Sequence, residues 1–317
     1  MTSLTLAASP SARFVRSMAV AAATLLVLGM LAGATAPRAQ GISYPTSSPM
    51  ILQNVPWQDL RANRHGICNG AFTHVIKNVT ASSSLTAPVN YLNEAQACGL
   101  KVIFHFAQTV SSTGIVYPTR VPRWVNAVKA HPNLDGYLTV KEPSWNRIAA
   151  WEIRALYRAF KTADPAHTVY ALFGDIPHFG DTVNPYQGGM ADVVMVDWYP
   201  VETRSGGCSS YGTYYQPYGP KWYAKVRKVV AAKTPGRPVY VMVQTHKYLA
   251  PRCHKKQLPS KSLLWRQVRE AFTYGSVQGV AFHTWTNTNY SMDQLRNPTM
   301  VGWMKELSAQ VRAGTFQ

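Results

Sequence analysis

The stretch Gly136-Tyr137-Leu138-Thr139-Val140-Lys141-Glu142-Pro143 is an apolar run that stops abruptly on an acid followed by proline. It reads as a buried strand with a carboxylate at its tip. At such a position the group is partly dry, and burial raises its pKa toward neutrality. Two more apolar runs end the same way: Ala171-Leu172-Phe173-Gly174-Asp175 and Val193-Val194-Met195-Val196-Asp197-Trp198-Tyr199-Pro200. The chain has 14 acidic residues among 317, so three at the ends of successive apolar runs mark a site. The competing reading is that an acid after a strand caps the next helix or turn. It stands most strongly for Asp175.

Working outward, eight runs share this character: 50–53, 72–77, 101–107, 136–140, 168–173, 193–196, 239–243 and 280–284. They are rich in Val, Ile and Phe and nearly continuous in hydrophobicity, as expected of parallel strands buried on both faces. Between most of them lie stripes at helical spacing. Ile153, Leu156, Tyr157 and Phe160 form one; Trp222, Val226, Val229 and Val230 form another. A third is Leu264, Val268, Ala271 and Phe272, with Gly275 expected as its C-terminal cap. The last opens on Asn297-Pro298, an N-cap with proline at the first helical position. The segments after the first strand and after Asp175 are poor helix formers. Eight β/α units in this length predict a single-domain (β/α)8 TIM-type barrel over residues 37–317. A doubly wound open sheet is the alternative, but no Gly-rich phosphate fingerprint follows the first strand.

In such a barrel the active site lies at the C-terminal ends of the strands. Those ends supply Gln53 and Asn54, Lys77 and Asn78, His105 and Gln108, Glu142, Asp175, then Asp197 with Trp198 and Tyr199. Gln244 and His246 follow, and finally Trp285 and Asn287. This is a ring of acids, amides and aromatics, a donor set suited to sugar hydroxyls and to the apolar faces of pyranose rings. Glycines with Arg or Lys would dominate a phosphate site. The loop from Glu202 to Gly219 adds Tyr211, Tyr214, Tyr215 and Tyr218. Alternation along the strand predicts that Lys141 points away from Glu142.

The N-terminus reads as an address. Arg13 and Arg16 precede an Ala- and Leu-rich run ending near Ala34-Thr35-Ala36, the pattern of a secretory signal over residues 1–36. The expectation is a secreted or periplasmic protein with no membrane anchor. Four cysteines, Cys68, Cys98, Cys208 and Cys253, fit an oxidising compartment and allow three pairings. No close spacing suggests zinc, and no metal or cofactor is expected. Cys208 and Cys253 fall in neighbouring loops of the barrel, so they are expected to pair, leaving Cys68 with Cys98. The net charge of +18 suits a polyanionic glycan or cell envelope. No nucleic-acid motif is visible, and a monomer is expected.

Glu142-Pro143 closing the fourth strand resembles the retaining glycoside hydrolases of the large TIM-barrel clan, whose Asn-Glu-Pro carries the general acid/base. Trp285 looks like that clan's sugar-stacking tryptophan. Two positions depart: Lys141 replaces the asparagine, and Gln244 stands where the clan has its nucleophilic glutamate. Asp197-Trp198-Tyr199-Pro200 with Gln244 is similar to a set of hydrolase-like barrels. The resemblance implies a glycan-acting barrel and substrate contacts from Asn78, His105, Tyr199, Gln244, His246, Trp285 and Asn287. The assignment is Glu142 as general acid and Asp197 as the base of an inverting reaction, with Asp175 in reserve. A catalytically inactive glycan-binding barrel and a basic envelope protein without a sugar site are the competing readings.

Overall fold

The computed structural model describes residues 46–111, 113–174, 178–182, 186–206, 209–246, 257–285 and 297–317. The strands are β1 (Met50–Gln53), β2 (His74–Val79), β3 (Lys101–Phe106), β4 (Leu134–Lys141), β5 (Thr168–Phe173), β6 (Val193–Trp198), β7 (Val201–Gly206), β8 (Ser209–Tyr215), β9 (Val239–Gln244) and β10 (Gly279–His283). Eight of them close a parallel barrel in the order β1-β2-β3-β4-β5-β6-β9-β10, with β10 pairing back to β1. These are the eight runs read from the sequence. The other two form an antiparallel hairpin where a tyrosine-rich loop was expected. Tyr215 ties that hairpin down: its hydroxyl donates to Glu270 Oε2 at 2.7 Å, and Arg266 lies 4.1 Å over its ring.

The helices are α1 (Trp57–Arg61), α2 (Thr86–Ala97), α3 (Val121–Val128), α4 (Ala150–Ala163), α5 (Gly219–Lys233), α6 (Lys261–Gly275) and α7 (Pro298–Ala313). The weak helix formers behave as their composition predicts. The first connection holds the five-residue α1 and a short 3-10 turn at Arg64–Gly66, and no helix joins β5 to β6 among the described residues. Asn297 caps α7 by accepting from Thr299 N at 2.9 Å, with Pro298 first in the helix. The cap of α6 differs from expectation. Gly275 is its last helical residue, packed close to Tyr223, and Ser276 takes the left-handed turn with φ 50°.

Two apolar sets hold the barrel. Ile51, Ile76, Ile103, Leu138, Leu172, Met195, Met242 and Ala281 fill its interior. A larger set, with Phe104, Phe106, Tyr137, Phe173, Val194, Val243 and Phe282, packs the strands' outer faces against the helices. The alternation of these two sets along each strand fixes which side chains reach the mouth.

Cys68 and Cys98 are disulfide-bonded and tie the segment before β2 to the end of α2. The second expected pair, Cys208 with Cys253, lies outside the described residues. No helix among the described residues is long and apolar enough to cross a membrane. Replacing both Cys68 and Cys98 by Ala should lower stability by about 2–4 kcal/mol, chiefly by freeing the unfolded chain. A lower denaturant midpoint, with a slope no smaller than the parent's because the freed unfolded chain exposes more surface, is the expected result; an unmoved midpoint would show that the link contributes nothing.

Candidate active site

The site begins with an irregularity in β4. Its pairing with β5 shifts register between Leu138 and Lys141. Leu138 faces the interior, yet Val140 joins the outer core, so the shift resets the alternation. Lys141 then points into the mouth, where its ammonium donates to Asn78 Oδ1. Glu142 follows with φ 44°, a left-handed conformation that costs a non-glycine residue energy and is commonest where function requires it. Its N–H donates to Leu172 O at 2.8 Å, which fixes the strand end against β5. The expectation that Lys141 and Glu142 would point apart is therefore wrong. Regular alternation fails at both residues, and the two charges sense one another at the mouth.

Glu142 meets Asp197 beside Gly174. A Cβ placed on Gly174 would stand 2.9 Å from Asp197 Oδ1 and 3.0 Å from Glu142 Oε1. Only a glycine lets the end of β5 pass this close to both carboxyls. The two carboxyls are close enough that each shifts the proton affinity of the other. Asp197 is 4 % exposed. Burial, then the neighbouring Glu142 charge, pushes its carboxyl well above the ordinary range. Tyr199 donates to Asp197 Oδ2 at 3.0 Å and partly opposes that rise. Burial also raises Glu142, less strongly because Asp197 and Lys141 stabilise its charge. Asp197 is therefore the more strongly raised carboxyl, and Glu142 is the less buried of the two. Burial lowers the Lys141 ammonium to about 8, with Glu142 acting against the fall.

Around this pair the mouth is lined by imidazoles. His105 on β3 and His283 on β10 are both held well below the ordinary histidine range, first by burial; Lys141 adds to the effect on each. They are neutral at physiological pH. His246 Nδ1 lies 3.2 Å from His283 Nδ1, and Tyr199 packs edge-on to His246 at 4.9 Å between ring centres. Glu142, Asp197, Asn78, His105, Tyr199 and His246 thus come together as the ring read from the sequence. His246 is buried beneath Tyr199 rather than lining the cleft. Lys141, Gly174 and His283 belong to the site and were not among the candidates. Period-two alternation from the inward-facing Ala281 would have found His283.

Other candidates serve the scaffold. Gln244 is fully buried: its Oε1 accepts from Val201 N at 2.8 Å, and its Nε2 donates to Val201 O at 2.9 Å and Gln257 O at 2.8 Å. It binds the hairpin to the barrel and has no group left for a sugar. Trp285 is likewise fully buried, with its indole N–H donating to Asp59 Oδ2 at 2.6 Å, so it presents no stacking face. Trp198 packs at 3.8 Å on Trp222 outside the barrel, and Lys77 lies 5.1 Å over the Tyr91 ring. Gln53 and Gln108 are buried at the rim, and Asn54 takes the turn after β1 with φ 60°. Asp175 and Asn287 lie outside the described residues. Among the described residues no cluster of His, Cys, Asp and Glu is arranged to hold a metal.

No family model matches the sequence, and no curated protein matches it. Solved structures do. A family 99 endo-α-mannosidase from Bacteroides thetaiotaomicron superposes with TM-score 0.55 at 12% identity, over 81% of this chain and 85% of that one. A β-mannanase from the blue mussel Mytilus edulis superposes with TM-score 0.45 at 12% identity, over 81% and 91%. A mandelate racemase/muconate lactonizing enzyme-like protein from Rubrobacter xylanophilus gives TM-score 0.45 at 11% identity, and this chain spans only 54% of its length. At these identities the likeness is one of fold, a TIM-type barrel that glycoside hydrolases share with other enzymes.

The raised Asp197 carboxyl has a consequence for stability. Between the ordinary carboxylate range and its folded value, the folded chain holds a proton that the unfolded chain has released. Stability therefore falls as pH rises through that window. Asp197→Asn removes the titrating group. It should be more stable than the parent near neutral pH and match it near about pH 4. Urea midpoints across that range test this; parallel curves for the two proteins would refute it.

Proposed function

We propose that the protein is an exported glycoside hydrolase in which the Glu142–Asp197 pair supplies the acid/base chemistry on a poly- or oligosaccharide. The observation that carries this reading is two adjacent carboxyls at the C-terminal end of the barrel, beside Gly174, both raised by burial and with Glu142 the less buried. An acid poised to protonate a departing sugar oxygen needs a raised pKa and access to substrate. In this reading Glu142, raised by burial and the less buried of the pair, is the acid, and Asp197 beside it is the adjoining carboxyl that exchanges protons with it.

The spacing revises the mechanism expected from sequence. Inverting enzymes keep their carboxyls about 6.5–9.5 Å apart to admit a water, and retaining ones about 5–5.5 Å. Carboxyls that meet over Gly174, as these do, leave no room for that water. In this proposal the pair acts as one unit on the departing-group side, so Asp197 is a partner to Glu142 rather than an opposing base. Asp175, at the end of the neighbouring strand, is the sequence's remaining candidate for the attacking side. Asn78, His105 and Tyr199 are proposed as substrate contacts. The +18 charge favours an acidic glycan over a neutral one, and residues 1–36 are proposed as the export signal of a monomer.

A second reading, a barrel that holds glycans without cleaving them, draws support from Gln244, an amide where the resembled clan has its nucleophile. One assay separates the two. Native protein and Glu142→Gln are incubated with neutral and uronate-containing polysaccharides while reducing ends are counted. The expected result is turnover by the native protein that falls about 100-fold or more in the variant, with the fold intact. Equal turnover would remove Glu142 from the mechanism. Retention of glycan without any new reducing ends would favour the binding reading.

A further inference from the structure

Beyond Glu142 the chain makes a tight turn that leaves one large aromatic in the open. Trp145 is 75% exposed, the most exposed of the large hydrophobic side chains among the described residues. A single exposed aromatic is ordinary on a protein surface; this one is set apart by its place on the turn that follows Glu142. Its backbone is not loose. Trp145 N donates to the carbonyl of Glu142 itself at 3.0 Å, and Asn146 Nδ2 donates to Lys141 O at 3.1 Å. Ile148 N closes the turn on Pro143 O at 2.9 Å. The indole thus rides on a turn bonded to both residues that β4 delivers to the mouth.

The neighbouring loop braces this turn from the other side. Gly114, with φ 85°, approaches so closely that a Cβ there would lie 2.0 Å from Asn146 O. The next residue, Ile115, is 54% exposed. Two exposed apolar side chains therefore flank the contact between the loops after β3 and β4. Around the rim, Glu142 stands between this contact and Asp197, which lies two strands on at the end of β6.

We infer that Trp145, extended by Ile115, is the stacking platform for the sugar on the departing side of the bond. This deepens the glycan-cleaving reading and rests on it. The flat indole face suits the apolar face of a pyranose ring, whose hydroxyl rim stays in water. Because Glu142 is the acid of the proposed reaction and Trp145 N is tied to its carbonyl, a ring stacked there brings its bridging oxygen toward the Glu142 carboxyl. The position replaces the stacking face that buried Trp285 does not offer.

The test uses the full-length protein silenced by Glu142→Gln, titrated calorimetrically with cello-, xylo-, manno-, malto-, chito- and galacturono-hexaoses. Whichever hexaose binds should lose affinity at least tenfold when Trp145→Ala is added. Trp145→Phe should recover most of it, and circular dichroism should show an unchanged fold. Ile115→Ala should give a smaller loss. If a hexaose binds the silenced protein and Trp145→Ala leaves its affinity unchanged, the platform is wrong while the glycan reading stands. If none of the hexaoses binds, the glycan reading itself falls and takes the platform with it.

Discussion

Everything at the mouth depends on closure of the sheet through β1. This strand is four residues long, every one of them buried, and it pairs with β2 on one side and β10 on the other. It joins the two ends of the described chain: Met50 stands opposite Val280, and Trp285 N donates to Gln53 O at 2.7 Å. An open sheet would leave its edge groups unpaired and would place Asn78 and His283 at opposite margins. Closure instead puts β10 and β2 on either side of β1, so Asn78 and His283 reach the same end of the barrel as Lys141. The apolar interior beneath them helps to dry that end.

The fold was legible because each barrel strand is buried on both faces and therefore nearly continuous in hydrophobicity. Ile51 on β1 and Met242 on β9 belong to such runs. The antiparallel hairpin was not legible, since Glu202-Thr203-Arg204 and the tyrosines opposite carry no apolar run. Of the site, the strand-end acids were readable from position alone. The direction of Lys141 was not, because a register shift and a left-handed residue in succession overturn the alternation that sequence reasoning assumes. Trp285 and Gln244 misled for a different reason. Strand-end position says which rim a side chain belongs to, but not whether a neighbour such as Asp59 or Val201 already occupies it.

The electrostatics of the mouth follow from the same packing. A protein carrying +18 overall gathers at this point two carboxyls raised by burial, a lysine held to about 8, and two imidazoles lowered by burial. In water each group would ionise independently. In the dry mouth each charge is tolerated only beside a partner, so their proton affinities become mutually dependent. Lys141 steadies the charge on Glu142, and Tyr199 steadies Asp197. The result is a site able to change protonation locally while the surrounding net charge barely alters.

Gln244 shows how a scaffold can close off a chemical route. Its amide offers an acceptor to Val201 N and donors to the carbonyls of Val201, His246 and Gln257. A carboxylate there would turn its second oxygen toward those three carbonyls with no hydrogen to give, and would repel them. The amide at the end of this strand thus serves as the clasp of the hairpin, and an exchange to glutamate would be felt first as a loosened loop.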